Sequence, residues 1–66
     1  ICLSHLGYDT ENVNDQTLAS LVVDIDLIIG GHTHTTLKNP YRVGKTVIVQ
    51  TGSKGRCVGR VVVERK

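Results

Sequence analysis

Ile25-Asp26-Leu27-Ile28-Ile29-Gly30-Gly31-His32-Thr33-His34 carries an apolar run directly into two glycines and two imidazoles. A short, continuous apolar run is how a strand covered on both faces reads, and in open α/β sheets the functional crevice lies beyond the carboxyl ends of such strands. The stretch therefore predicts a buried parallel strand over 25–29 that breaks into a functional loop. Without Cβ atoms, Gly30 and Gly31 are expected to shape that loop by adopting positive φ and bringing the backbone close to a ligand. His5 follows another apolar run, Ile1-Cys2-Leu3, in the same manner. Neutral imidazole is the commonest metal ligand, and divalent zinc, manganese or iron suits such a set, so His5, His32 and His34 are candidate metal ligands. They form an incomplete shell, since a catalytic zinc takes about three protein ligands plus water and a two-metal site also needs a bridging carboxylate.

Upstream of this stretch, residues 1–5 read as a strand and the segment through Gly7, Asp9, Thr10 and Glu11 as a polar loop. A helix follows. Asn14 is its N-cap, Asp15 favours the positive end of the helix dipole, and Val13 is placed to staple onto Leu18. Leu18, Leu21 and Val22 supply an i, i+3, i+4 apolar stripe, and the helix is expected to stop near Val23. Residues 1–29 thus form a β-α-β unit with parallel strands joined by a right-handed crossover. Parallel strands bring their carboxyl ends together, so His5 and the pair His32/His34 should emerge at one edge of the sheet.

Downstream, the pattern changes to hairpins. Lys38-Asn39-Pro40 is a turn, after which Tyr41-Arg42-Val43 can pair with Thr46-Val47-Ile48-Val49 across Gly44-Lys45, a type II′ connection. Thr51-Gly52-Ser53-Lys54-Gly55-Arg56 leads to an expected strand from Cys57 to Glu64, in which Gly59 marks a bulge or close packing. The Gly/Ser/Lys loop lacks the GxxxxGK(S/T) spacing of a phosphate cradle and precedes no helix, so it reads as a hairpin loop with Lys54 facing solvent. The fold class is α/β, one β-α-β unit followed by β-hairpins.

With 66 residues, no Phe, Trp or Met, and only Tyr8 and Tyr41 as aromatics, the chain can build only a thin core. Domains this small bury only about 60% of their unfolded surface, which suggests a portion of a larger fold. Residues 1–37 carry five acids and no Lys or Arg, whereas residues 38–66 carry eight bases and one acid. A basic half can attract phosphate or nucleic acid. However, Arg42, Lys45, Lys54, Arg56, Arg60, Arg65 and Lys66 are spread along the expected strands and read as solvated edges. No interleaved aromatics support base stacking, so nucleic acid is not an expected partner. Cys2 and Cys57 are too distant for a CxxC site and read as buried free thiols. No apolar run approaches the length of a membrane span.

Taken together, Leu3-Ser4-His5-Leu6-Gly7, Asp15 with Leu18-Ala19, and Ile25 through His34 resemble the calcineurin-like metallophosphoesterases, specifically the 5′-nucleotidase and UDP-sugar hydrolase branch. The likeness continues through Val49-Gln50-Thr51-Gly52, Gly55 and Val58-Gly59-Arg60, and so covers nearly the whole chain. It implies a four-layer α/β/β/α sandwich with two divalent ions (zinc, manganese, iron or cobalt) between its sheets. His5 and His32 would ligate one ion and His34 the other, with Gly30 and Gly31 shaping the metal loop. It also implies a nucleotide or other phosphate-ester substrate and a periplasmic or extracellular setting. The family's DxH, GDxxD and GNH(D/E) motifs, which supply the bridging aspartate, the remaining ligands and a leaving-group histidine, are absent from these residues. Residues 1–66 accordingly resemble the C-terminal part of the catalytic domain, expected to be inactive alone and to complete an active site with the remainder of that domain. There the resemblance implies attack by metal-activated water on a phosphate ester, with the ions stabilising developing charge. Two other readings stay open: a mononuclear metal-binding module, and an interaction fragment that uses none of the histidines.

Overall fold

The apolar run does form a strand, shortened at its start and buried at Leu27 and Ile28, while Ile29 at its end is exposed. In the computed structural model, which describes residues 1–64, β1 spans Cys2–Leu3, helix α1 Asp15–Leu21, β2 Leu27–Ile29, β3 Tyr41–Val43 and β4 Thr46–Val49. They form a small α/β fold with one helix and a mixed four-stranded sheet in the order β1-β2-β4-β3. As the β-α-β reading requires, β1 and β2 are parallel, with Cys2 opposite Ile28 and Leu3 opposite Ile29. The hairpin forms as well: β3 and β4 are antiparallel, Val43 faces Thr46 across Gly44-Lys45, and Gly44 has φ 58°. Positive φ at the first central position alone is what a type II′ turn demands.

Less visible in the sequence is how the hairpin joins the rest. Strand β4 lies parallel to β2, Ile28 opposite Ile48 and Ile29 opposite Val49. Three strands, β1, β2 and β4, therefore point the same way, and their carboxyl ends share one edge. Burial follows from that arrangement. Ile28 and Ile48, neighbours at the sheet centre, are fully buried and pack with Ala19 of α1, with Cys2, Tyr8, Leu18, Ile25, Leu37 and Val43 around them. Thr46 is buried too and satisfies its hydroxyl by donating to the Ile25 carbonyl.

The helix packs through a different face from the one expected. Leu21 is 78% exposed and Val22, in extended conformation at the C-cap, is also exposed, whereas Asp15 and Ala19 are buried and Leu18 is half-buried. Leu21 lies about 200° around the helix from Ala19, at two residues of a 3.6-residue turn, so when small Ala19 meets the sheet Leu21 must face away. Nor does Val13 act as a staple, being exposed. A capping box closes this end: Thr17 N–H donates to the Asn14 side chain at 3.0 Å and Asn14 N–H donates to Thr17 Oγ1 at 2.8 Å.

The expected strand from Cys57 to Glu64 does not form. Ser53–Arg56 is a β-turn closed by Arg56 N–H donating to the Ser53 carbonyl at 3.3 Å, with positive φ at both Lys54 and Gly55. Beyond it the chain runs irregularly beside Ile29, Leu37 and Val49 without ladder pairing, because β4 is already flanked by β2 and β3. Val58 is 95% exposed, and Cys57 is an exposed free thiol, not a buried one; Cys2 is half-buried. Gly59 is no bulge, yet its place is tight: a Cβ there would meet Thr51 Cγ2 at 2.8 Å. Lys38, Arg42, Lys45, Lys54, Arg56 and Arg60 are exposed, while Arg65 and Lys66 lie outside the described residues.

Since Ile48 fills the centre of a thin core, Ile48→Ala should destabilise the fold by about 2–5 kcal/mol through lost transfer energy and the cavity left behind. Val58→Ala should change stability by no more than about 0.5 kcal/mol. Urea unfolding of the two variants checks this, and equal midpoints would show that the core has been placed wrongly.

Candidate functional site

Loops leaving the three parallel strands meet at one edge. After β1 come Ser4 to Gly7, after β2 Gly30 to Thr35, and after β4 Gln50 to Gly52; Ser4 N–H donates to the Ile29 carbonyl and Gly30 N–H to the Val49 carbonyl, both at 2.9 Å. The histidines emerge here. The rings of His5 and His32 lie edge-on, centroids 5.1 Å apart and planes at 67°, and both residues are exposed. His34 is exposed as well, but its carbonyl lies toward Gly52, near the loop after β4. Among the described residues, no three His, Cys, Asp or Glu side chains gather closely enough to hold a metal ion. The donor chemistry of the His5/His32 pair nevertheless fits part of a shell, two imidazoles close together and open to solvent.

Backbone geometry around the pair is unusual in a way the glycines do not explain. His32 has φ 72° and His34 φ 54°, whereas Gly30 and Gly31 are not in the positive-φ region. Thr33 N–H donates to the Gly31 carbonyl at 2.9 Å, closing a three-residue γ-turn with His32 at its centre, the rare and strained form. Non-glycine residues held in such conformations cluster at functional sites, where surrounding contacts over-determine them.

The role expected of the glycines is accordingly corrected: they contribute space. A Cβ on Gly30 would collide with Asp15 Oδ2 and sit 3.3 Å from Gln50 Nε2. At Gly31 the nearest atom would be His5 Nδ1, at 3.3 Å. Asp15 stands in the first turn of α1, as the helix-dipole reading expects, and is also fully buried. Its Oδ1 accepts a hydrogen bond from Ser4 Oγ at 2.6 Å, while Oδ2 has no partner and faces Gly30. The helix start is thereby tied to the residue just before His5. The spacing of Asp15 to Ala19, i to i+4, was the available signal that this carboxylate shares the packed face.

Behind the loop lies a polar network that the sequence reading missed. Gln50, 2% exposed, accepts Thr35 N–H on Oε1 at 2.6 Å and directs Nε2 to Thr33 Oγ1 at 3.4 Å. A backbone N–H can only donate, which sets the amide orientation. Thr33 Oγ1 lies 2.7 Å from Thr35 Oγ1 and accepts Tyr8 N–H at 3.1 Å. Tyr8 stacks edge-on against Tyr41, centroids 5.5 Å apart. Partial burial, helped by Tyr41 and Asp9, holds its hydroxyl above the ordinary tyrosine pKa.

The chain is similar to the trifunctional nucleotide phosphoesterase protein YfkN of Bacillus subtilis (strain 168), with 41% identity over 66 residues that take in 96% of this chain. It spans only 4% of that protein's length. No family model matches the chain, and no solved structure matches it. The similarity is thus to a nucleotide phosphoesterase, over nearly every residue described above.

Because a Gly30 methyl would meet a buried carboxylate, Gly30→Ala should cost about 1–3 kcal/mol by overpacking. Gly31→Ala should cost less, since the atom it meets belongs to an exposed ring that can turn aside. Thermal unfolding separates the two, and an equal loss in both would contradict the spatial role assigned to Gly30.

Proposed function

We propose that this chain is part of the catalytic domain of a metal-dependent phosphoesterase acting on nucleotide-type phosphate esters, and that His5, His32 and His34 are metal ligands there. The observation that carries the reading is the meeting of His5 and His32 beyond the carboxyl ends of β1 and β2, at centroids 5.1 Å apart. Similarity to a nucleotide phosphoesterase over the same residues supports it. The proposal includes the four-layer sandwich, to which this sheet and helix would contribute one half, and two ions drawn from zinc, manganese, iron and cobalt. His5 and His32 would serve one ion and His34, displaced toward Gly52, the other. Residues outside this chain would supply the carboxylates, and the chain alone would not turn over substrate. A periplasmic or extracellular setting belongs to the same proposal.

When bound, such ions act as Lewis acids that lower the pKa of water and neutralise charge developing on a phosphate ester. The chain's own part is to hold imidazoles at fixed positions. The His32 γ-turn aims one ring at His5, Gly31 leaves room for the His5 ring, and Asp15 anchors Ser4 beside it. Lys54, exposed on the turn after β4, takes no part. Among the described residues, no helix is long and apolar enough to cross a membrane.

In the full-length protein, His32→Ala or His34→Ala should lower turnover by at least about 100-fold, near 3 kcal/mol of barrier, with loss of bound metal and little change in substrate binding. Lys54→Ala should leave turnover nearly unchanged. Metal analysis and steady-state kinetics with a nucleoside monophosphate test this. Full metal content and near-normal turnover in both histidine variants would remove the assignment, and one metal per chain in the wild type would favour a mononuclear site.

A further inference from the structure

We infer that Gln50 is a positioning residue for His34, holding residues 33–35 in the bent conformation that presents the imidazole. The inference rests on the reading of His34 as a metal ligand given above. Gln50 is 2% exposed and follows β4 directly, so its backbone position is set by the parallel pairing of β4 with β2. Its carboxamide reaches the histidine loop on both sides of His34: Oε1 accepts Thr35 N–H at 2.6 Å, and Nε2 approaches Thr33 Oγ1 at 3.4 Å. Its carbonyl also accepts Leu37 N–H at 3.0 Å, so one residue fastens three successive odd positions of the loop exit. Between the two side-chain contacts His34 has φ 54°, a region disfavoured for residues bearing a Cβ. Such a conformation persists when its neighbours are pinned and relaxes when they are released. Removing the Gln50 acceptor would free Thr35 N–H from its partner and let His34 return to ordinary backbone geometry. A ligand displaced by even about 0.5 Å no longer serves a fixed site well.

The test uses the full-length protein, with manganese as the metal and a chromogenic phosphate monoester as substrate. Gln50→Met keeps the length of the side chain and removes both polar atoms. It should lower kcat about 10- to 100-fold and weaken manganese affinity, as loss of a group that orients a ligand commonly does. KM should stay within about threefold, because substrate contacts are untouched. Hydrogen exchange should show the Thr35 amide losing protection while those of Ile28 and Ile48 keep theirs, a pattern that general loosening would not produce. Turnover within about twofold of wild type, or unchanged protection at Thr35, overturns the inference. If Gln50→Met does not fold, Gln50→Leu, which likewise removes the acceptor of Thr35 N–H, is judged by the same criteria. A wild-type protein with no phosphoesterase activity overturns the functional reading alone, and the Thr35 exchange then decides the positioning role.

Discussion

The approach of Asp15 to Gly30 is the constraint on which the rest of this molecule depends. A fully buried carboxylate at the start of α1 occupies the volume where any other residue at position 30 would place its Cβ. That single close approach lets the helix settle onto the sheet through Ala19, brings Ile28 and Ile48 under cover, and ties Ser4 to the helix by a 2.6 Å hydrogen bond. Burying a carboxylate costs free energy unless its oxygens find donors. Here one oxygen has Ser4 and the other faces a glycine, so the arrangement trades local stability for a fixed relation between helix, β1 and the histidine loop.

From that relation follows the character of the sheet edge. With β1, β2 and β4 parallel, the residues leaving their carboxyl ends are Ser4, Gly30 and Gln50 in lateral order, with His5 one residue further on. The edge therefore has exposed imidazoles in front and a polar layer behind, in which Asp15 and Gln50 are buried and Ser4 and Thr33 half-buried. The layers depend on one another. Exposed rings can reach a ligand, but their backbones, left-handed at His32 and His34, need rigid supports, and the buried hydrogen bonds supply them. This division between presenting groups and holding groups is what a site that must keep its geometry during chemistry requires.

Much of the frame was legible in the residues. The apolar run over 25–29, the cap at Asn14, and Gly44-Lys45 between two β-rich segments each state their local structure through short-range sterics and hydrogen bonding; the cap and the hairpin formed where read, and the strand formed over its last three residues. The convergence of His5 and His32 was legible too, because parallel pairing follows from the β-α-β order. Illegible was anything decided by a distant partner. Val61-Val62-Val63 has the composition of a strand, but propensity alone does not produce a ladder, and both sides of the preceding strand β4 are taken by β2 and β3. Leu21 and Val22 looked like the packed stripe of a helix until Ala19, the smaller side chain, allowed the closer contact.

What the sequence by itself determined was therefore the set of local elements and the direction of the first two strands, since these depend on short-range sterics, hydrogen bonding and chain order. Tertiary structure alone decided that β4 would add to β2 in parallel, and with it the placement of Gln50 behind His34. It also turned Asp15 inward and gave Gly30 the task of making room instead of bending the chain. The reason is the same throughout: burial and close approach are properties of pairs brought together from 11 to 20 residues apart, as with Ser4 and Asp15 or Ile28 and Ile48, and no window of sequence contains the space between them.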